Sequence, residues 1–300
     1  MNHHLDHLLR KVMKEYHGVT LGKRMSKNAL IYEVIAVNGK RKHDKCCKIF
    51  VNCPQSEVIS EYTIGKQCYT KDKQHFMKIY DLISFKIQDN IFDGLPKVCY
   101  AMFMEKGVPF TFAPGPKSVD FYIKFLTDIG QAIKTLHELN LVHFDIKPDN
   151  IVINSAGNYC LIDFGISKSI DEGIISLYDI SGSRYFMSPE IFRAELSRQA
   201  DLYSLGVSVR FILMNGTHEF NVYGKSISQI YHMKKNLHPL QSNDIYVEQF
   251  LKIVNKLSEF SPGKRYQTAD ELLKDLSDFP IEEGIRFYSL CSEEANENVS

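Results

Sequence analysis

Residues 141–153 read Leu-Val-His-Phe-Asp-Ile-Lys-Pro-Asp-Asn-Ile-Val-Ile, and this stretch decides the fold. Thirteen residues after its asparagine, behind a second short apolar run, comes Asp163-Phe164-Gly165. Asp145, Lys147 and Asn150 therefore share one tight loop, and a further aspartate lies on a neighbouring turn. Phosphoryl transfer requires a carboxylate that accepts a hydroxyl proton, an ammonium that contacts phosphate, and two oxygen ligands for a hard cation. The spacing predicts a site of that kind.

The composition is that of a globular protein and excludes several classes. The chain has 300 residues, of which 44% are hydrophobic and 24% charged. Basic and acidic residues balance at 36 each, so we expect no nucleic-acid partner. The seven cysteines contain no C-x-x-C pair and are typical of reduced thiols in a cytosol. The sequence shows no signal-peptide pattern and no apolar run that predicts a membrane span, so we expect a cytoplasmic protein.

Period-two apolar patterns dominate the first third of the chain, and helical periodicity dominates the rest. The Asn38-Gly39 pair predicts a hairpin between the strands Leu30–Val37 and Cys46–Val51. The other predicted elements are a helix within residues 1–16, a helix over Ser56–Tyr69, strands over Phe76–Ile83 and Val98–Met104, and helices over Ser118–Asn140, Asp201–Met214, Val247–Ser258 and Ala269–Leu276. This order indicates an α+β protein with an extension over 1–16, a β-rich lobe over 17–107, a mainly helical lobe over 108–280 and a polar tail over 281–300.

The residues 143–150 and 163–165 together resemble the catalytic and metal-binding loops of eukaryotic-type protein kinases. Three more segments follow in that family's order. Gly182–Glu190 resembles the loop that docks the protein substrate, and it is called the docking loop below. Asp201–Gly206 resembles the helix that anchors the catalytic loop, and Ser261–Arg265 resembles a segment whose Arg pairs with the docking-loop Glu. The resemblance implies the bilobal kinase fold, with a small β-rich lobe and a larger, mainly helical lobe.

The resemblance also implies a role for each polar residue of the second lobe. Asp145 is expected to be the catalytic base and Lys147 to contact the γ-phosphate of ATP. Asn150 and Asp163 are expected to bind Mg²⁺. Ser183 resembles the hydroxyl that bridges the catalytic Asp and Lys in Ser/Thr kinases. The expected reaction is transfer of the ATP γ-phosphoryl group to a Ser or Thr hydroxyl of a protein substrate.

In the first lobe, Lys48 resembles the strand lysine that holds the α- and β-phosphates, and Lys45 is the alternative. Its partner on the next helix is Glu61 or Glu57, which lie one turn apart. Glu61 is preferred because the residues after it resemble the continuation of that helix. The residues expected around adenine, each of which could also be plain core packing, are Ile31, Cys46, Met104 as gatekeeper, Glu105, Gly107 and Val152.

The segment expected to cover the phosphates departs from the family pattern. Counting back from Ile31, the three glycine positions fall on Arg24, Ser26 and Ala29, and Gly22 lies two residues too early. Missing side chains let backbone N–H groups approach phosphates, so these replacements predict weaker nucleotide binding. The alternative function is a pseudokinase scaffold with little or no turnover. A small-molecule kinase is a second alternative, although such enzymes typically lack the docking loop.

Phe144 occupies the position at which most regulated protein kinases carry an Arg that binds a phosphate on the activation loop. Phenylalanine offers neither charge nor donor, so we expect activity without activation-loop phosphorylation. The loop would then be held by packing around Phe144 or by a regulatory protein partner. Lysine outnumbers arginine by 27 to nine, which favours an AT-rich genome. A secreted effector acting in a host cytosol is therefore the alternative to a resident cytoplasmic kinase.

Overall fold

The computed structural model describes residues 3–26, 29–87, 97–110, 115, 117–172 and 183–280, together with the backbone of 286–287. The chain divides into two compact units, Met1–Val108 and Pro109–Ser300. Most of the polar tail and the first residue of the docking loop lie outside the described residues. Within the described ranges, every helix is too short or too polar to cross a bilayer.

One antiparallel sheet of six strands forms most of the first unit. Its strands are β1 (Val19–Arg24), β2 (Leu30–Val37), β3 (Lys40–Arg41), β4 (Lys45–Val51), β5 (Ile79–Ile87) and β6 (Lys97–Glu105). They lie in the order β1-β2-β4-β6-β5, and β3 pairs with β2. Asn38 and Gly39 have φ values of 47° and 75° and form the turn into β3, a short strand that was not predicted. β4 then pairs antiparallel with β2, so the predicted hairpin between these two strands is confirmed.

The strand predicted over Phe76–Ile83 is displaced towards the carboxyl terminus. β5 begins at Ile79 and ends at Ile87. The Asp72 carboxylate accepts the backbone N–H groups of Gln74 and His75, at 2.9 and 3.2 Å, and holds the residues after the helix in a turn. The apolar pattern alone does not show that the Asp72 carboxylate binds the backbone here and delays the start of the strand.

Two helices, α1 (His3–His17) and α2 (Gln55–Lys71), complete the first unit. The buried residues Leu9, Val12 and Met13 place α1 in the same apolar cluster as the sheet. The partners of α1 in that cluster are Val19, Leu21, Tyr32, Val34, Cys47, Ile49, Phe85, Ile87, Cys99 and Ala101. The predicted amphipathic helix is therefore part of the core of this unit.

Arg10 of α1 also binds the backbone of β1. Its Nη1 donates to the carbonyl oxygens of Leu21 and Gly22, at 2.9 and 2.7 Å. Its Nε donates to Asp6, which also accepts the Tyr32 hydroxyl; both distances are 2.7 Å. These bonds satisfy carbonyl groups in a stretch where the pairing of β1 with β2 is irregular.

The second unit is mainly helical. Its helices are α3 (Val119–Glu138), α4 (Gln199–Leu213), α5 (Ile227–Lys235), α6 (Ile245–Leu257) and α7 (Ala269–Ser277). Its short strands are β8 (Lys117–Ser118), β9 (Leu141–Val142), β10 (Ile151–Ile153), β11 (Tyr159–Leu161), β12 (Lys168–Ser169) and β13 (Arg286–Phe287), after β7 (Val108–Pro109) at the boundary. β10 pairs with β11, β9 with β12 and β8 with β13, all antiparallel. A β-rich first unit and a helical second unit confirm the α+β class.

α4 is buried along nearly its whole length and packs against α6 at Gly206. A Cβ atom on Gly206 would lie 2.7 Å from the Leu257 Cβ and 2.9 Å from the Ser258 backbone nitrogen. Neither neighbour is the flexible end of a side chain, so the two helices would have to separate.

We predict that Gly206→Ala lowers the free energy of unfolding by about 1–3 kcal/mol. Helix propensity alone would change it by about 1 kcal/mol in the opposite direction. Urea denaturation followed by circular dichroism measures the difference. Gly130→Ala in α3 is the matched control, because its nearest neighbour is the mobile Cδ2 of Leu273 at 3.2 Å. Equal stability of Gly206→Ala and the wild type would contradict this account.

Candidate active site

Asp145 lies at the centre of a hydrogen-bond network in the second unit. Its Oδ2 accepts from Lys147 Nζ at 2.6 Å and from Asn150 Nδ2 at 2.8 Å. Its Oδ1 accepts the backbone N–H of Ser183 at 3.2 Å, and the Ser183 hydroxyl accepts from Lys147 Nζ at 2.9 Å. The Asp145 and Lys147 side chains keep 15% and 16% of their surface exposed. The structure thus brings these four residues together and leaves the central pair accessible to a substrate.

The strand pair β10–β11 positions Asn150 and Asp163. Ile151 pairs with Leu161, and the N–H of Ile162 donates to the Asn150 carbonyl at 3.0 Å, so both residues lie at one end of the pair. The Asn150 amide nitrogen also donates to the Asp145 carbonyl at 2.8 Å. The amide oxygen is then the atom that Asn150 can offer to a cation.

An amide oxygen and a carboxylate are hard donors of the kind that Mg²⁺ binds. Within the described ranges, no three His, Cys, Asp or Glu side chains are clustered closely enough to hold a metal alone. The donor set therefore fits a cation that takes its remaining ligands from a bound phosphate and from water.

Asp201 holds the backbone of the loop that carries Asp145. Its fully buried carboxylate accepts the N–H groups of His143, at 3.0 Å to Oδ2, and of Phe144, at 3.0 Å to Oδ1. It also bonds His137 Nε2 of α3 at 3.1 Å. Phe144 has a φ of 65°, a left-handed conformation that costs a non-glycine residue about 1 kcal/mol or more. The expected scaffold role of Asp201 agrees with these contacts.

His143 is held in one neutral tautomer. Its Nδ1 accepts the backbone N–H of Asp145 at 3.2 Å, and its Nε2 donates to the Ile162 carbonyl at 3.2 Å. Its ring meets Phe164 edge to face, with centroids 5.4 Å apart. Burial lowers the pKa of His143, and the nearby carboxylates offset this only in part. His143 is thus a packing and hydrogen-bonding residue.

We predict that stability falls as the pH drops below about 6.5, because of His143. A folded-state pKa below the unfolded value means that the unfolded chain binds more protons at this group. The contribution of His143 to stability is therefore fully present above pH 6.5 and is lost progressively as the pH falls below 6.5. The slope from this group is at most about 1.4 kcal/mol per pH unit. His143→Gln should flatten the stability profile between pH 6.5 and 5, measured by urea denaturation. His7→Gln, on the exposed face of α1, should leave it unchanged. An unaltered profile in His143→Gln would exclude this origin.

The ion pair expected between the docking loop and a later segment is confirmed. Arg265 donates to Glu190 through both terminal guanidinium nitrogens, Nη1 at 2.7 Å and Nη2 at 2.9 Å, and both side chains are buried. Arg265 also donates to the carbonyl oxygens of Glu259 and Phe260, so its remaining N–H groups are satisfied. This pair fixes the end of the docking loop.

Two replacements near the docking loop have no structural explanation. In the family that the sequence resembles, Ala is usual at the position of Ser188 and Trp is common at that of Tyr203. Both hydroxyl groups are buried, and neither finds a hydrogen-bond partner within the described ranges. Nothing in the structure explains these two hydroxyls.

In the first unit, Lys48 of β4 binds Glu61 of α2, with 2.5 Å between Nζ and Oε1. Glu61 is buried, whereas Glu57 is exposed. The alternative Lys45 places its ammonium over the Tyr80 ring, 3.9 Å from the centroid. The structure therefore pairs Lys48 with Glu61, and the roles of these two residues toward a nucleotide stay predictions.

The strand ends expected to face adenine are arranged by sheet register. Ile31 pairs with Lys48, and Cys46 pairs with Met104. Cys46 Sγ donates to the Glu105 carbonyl at 3.6 Å, and burial raises the pKa of this thiol to about 12, so it stays neutral. The Glu105 N–H donates to the Lys78 carbonyl at 2.8 Å, so this N–H already has a partner within the protein. Adenine contacts by Ile31, Cys46, Met104, Glu105, Gly107 and, in the second unit, Val152 stay predictions.

The residues that replace the expected glycines close the turn between β1 and β2. The Arg24 guanidinium donates to the Ala29 carbonyl through Nε at 3.1 Å and Nη2 at 3.0 Å. Ser26 Oγ accepts the Ala29 N–H at 3.1 Å. Sequence reasoning treated these side chains as obstacles to phosphate and missed that they bond the turn itself.

Comparisons with known proteins point to one family. A family model described as a protein kinase domain matches residues 110–276, more than half of the chain and all the motifs from Asp145 to Arg265. The chain is 28% identical over 172 residues to a probable serine/threonine-protein kinase of Clostridium perfringens, covering 56% of this chain and 25% of that protein. It is 28% identical over 208 residues to serine/threonine-protein kinase PrkC of Bacillus subtilis, covering 68% and 31%.

A fission yeast relative, serine/threonine-protein kinase ppk34 of Schizosaccharomyces pombe, is 28% identical over 225 residues, covering 68% of this chain and 56% of that protein. The matched part of the chain spans only about a quarter to a third of the two bacterial relatives. The family model begins after the first unit, so Lys48 and Glu61 lie outside the match.

Proposed function

Because the chain belongs to the protein kinase family, we propose that it transfers the γ-phosphoryl group of ATP to a Ser or Thr hydroxyl of a protein substrate. The observation that carries this proposal is the network of Asp145, Lys147, Asn150 and Ser183. It joins a carboxylate and an ammonium, both partly exposed, to the loop expected to receive the acceptor protein.

Asp145 is the group that accepts the proton of the acceptor hydroxyl. Its Oδ2 is held by Lys147 and Asn150, so the carboxylate orientation is set before substrate arrives. The Lys147 ammonium supplies positive charge beside the phosphoryl oxygens, where negative charge accumulates during transfer. Ser183 ties that ammonium to the docking loop and supports the preference for Ser and Thr acceptors.

Asn150 and Asp163 would hold Mg²⁺. When bound, the ion neutralises phosphate oxygens and fixes their position. In the first unit, Lys48 would contact the α- and β-phosphates, and Glu61 orients its ammonium through their ion pair. These roles rest on donor chemistry and on the family pattern.

A scaffold with little turnover is the second candidate function. One observation favours it: Arg24 and Ser26 bond the turn that would cover the phosphates, in place of the bare backbone that glycines provide. Such a protein would bind Mg-ATP or a partner protein without phosphorylating it.

We predict that Asp145→Asn lowers phosphoryl transfer at least about 100-fold, because an amide cannot take the hydroxyl proton. Purified protein is incubated with labelled Mg-ATP and dephosphorylated casein, and label in casein and in the kinase itself is counted. Asp120→Asn, an equal charge change on the exposed first turn of α3, is the matched control and should stay within about twofold of the wild type.

Each outcome of this assay separates the two candidates. Transfer by the wild type that is lost in Asp145→Asn supports the kinase. Nucleotide binding without transfer by the wild type supports the scaffold. Full activity of Asp145→Asn would refute the assigned base.

The surroundings of Phe144 support activity without activation-loop phosphorylation. Its side chain is buried in an apolar cluster with Val142, Met187, Ile191, Phe192, Ala200 and Ile230, and Ile166 and Ile170 pack against that cluster. Ile170 precedes the segment 173–182, which lies outside the described residues, and Met187 follows it. Both sides of that segment are thus held by apolar packing, a contact that forms without a phosphate.

We predict that phosphatase treatment leaves the initial transfer rate within about twofold of the untreated protein. Mass spectrometry verifies that phosphate is removed, and heat-inactivated phosphatase serves as the control. A large loss of rate that is restored by rephosphorylating one of the hydroxyl residues of 166–181 would contradict the prediction; these are Ser167, Ser169, Ser176, Tyr178 and Ser181.

A further inference from the structure

Lys234 on α5 is a fully buried lysine that the proposed reaction does not use. Its Nζ donates to the backbone carbonyl of Tyr185, in the docking loop, at 2.5 Å. Four aromatic rings surround it, with centroids 5.3–5.9 Å from Nζ: Tyr185, Phe192, Tyr203 and Phe220. Within the described ranges, no carboxylate lies at ion-pair distance from this ammonium.

A lysine in such a place lowers stability, since an ammonium without a carboxylate partner loses its hydration on burial. Ring faces and one carbonyl oxygen compensate for part of that loss. Methionine would fill the same volume without the penalty and packs well against rings. The charge of Lys234 therefore calls for an explanation other than stability.

Tyr185 is held from its other side as well. Its hydroxyl accepts the N–H of Glu219 at 3.2 Å, and its ring contacts His218 with centroids 4.0 Å apart. The Glu219 carboxylate accepts from Nε and Nη2 of the buried Arg210, at 2.8 and 2.5 Å. The ring of Tyr185 is thus anchored to residues 218–220, and Lys234 holds its main chain.

The main chain at Tyr185 leads directly to the candidate catalytic loop. The N–H groups of Phe186 and Met187 donate to the Ser183 carbonyl, at 2.9 and 3.3 Å, and close a tight turn. Ser183 bonds both Asp145 and Lys147. A shift of the Tyr185 carbonyl would therefore move the loop that receives the acceptor.

We propose that Lys234 is a positioning residue for the docking loop: its ammonium holds the Tyr185 carbonyl and so sets the conformation of residues 183–187 that binds the protein acceptor. This inference rests on the proposed kinase function. It concerns acceptor binding and leaves nucleotide binding, which uses other residues, unaffected.

Burial lowers the pKa of Lys234 to about 7, so the ammonium loses its proton as the pH rises through neutrality. Arg265 lowers this pKa further, and Glu190 opposes the shift. The Arg210–Glu219 pair flanks Tyr185, and His218, whose own pKa is lowered by burial, titrates below 6.5. On α5 itself, His232 and Lys235 are exposed. Between pH 7 and 9, Lys234 is thus the group expected to weaken the docking loop as the pH rises.

The test compares Lys234→Met with the wild type and with Lys235→Met, the exposed neighbour on the same helix. The KM for dephosphorylated casein, the KM for ATP, kcat and the thermal unfolding midpoint are measured from pH 6.5 to 9. We expect the casein KM of Lys234→Met to rise at least tenfold at pH 7, with the ATP KM within twofold and the unfolding midpoint equal or higher. The wild-type casein KM should rise between pH 7 and 9, and that of Lys234→Met should not.

Hydrogen exchange of the Phe186 and Met187 amides gives a readout that needs no activity. Faster exchange in Lys234→Met than in Lys235→Met supports the inference even if the wild type transfers no phosphate, a result that would refute the proposed function alone. Lys234→Gln, which keeps a donor but not the charge, should give an intermediate casein KM. An unchanged casein KM together with unchanged amide exchange in Lys234→Met would overturn the inference. Failure of both Lys234→Met and Lys234→Gln to fold would also overturn it.

Discussion

The second unit depends on the hydrogen bonds that the buried Asp201 carboxylate accepts from the backbone of His143 and Phe144. Without an acceptor, these two N–H groups would be buried and unpaired, and the left-handed conformation of Phe144 would have no support. The carboxylate belongs to α4, which is buried along nearly its whole length. The loop that carries Asp145 therefore takes its position from the core of the unit, and the chemistry of the loop follows from that attachment.

Much of the candidate site could be predicted because its residues are close in the sequence. Asp145, Lys147 and Asn150 lie within six residues, and a loop that short must bring them together. The choice between Glu57 and Glu61 could not be made from spacing alone, because both lie on one helix face. It is decided by burial, which depends on how α2 packs against the sheet.

The features that sequence reasoning missed depend on how the chain folds back on itself, over long distances at Lys234 and over short ones at Arg24. The start of helix α5 can be read from the sequence, because Ser226 and Gln229 have the spacing of a capping box. No sequence pattern indicates that Lys234, near the end of the same helix, is buried. A lysine near a helix end normally points to solvent, and the rings around this one come from positions 185, 192, 203 and 220. The bonds of Arg24 and Ser26 to Ala29 likewise follow from the closure of a turn, which a count of missing glycines does not describe.

The docking of α1 on the sheet has an evolutionary consequence. Leu9 and Met13 cover apolar residues of β1 and β2, among them Leu21 and Val34, that would otherwise face water. A kinase that lacks this helix needs polar side chains on that face of the sheet. If recombination at the start of β1 joined the sheet of this protein to a chain without the helix, the exposed apolar face would be prone to aggregation. The helix and the sheet face beneath it must consequently be inherited as one block, and substitutions in either should be compensated in the other.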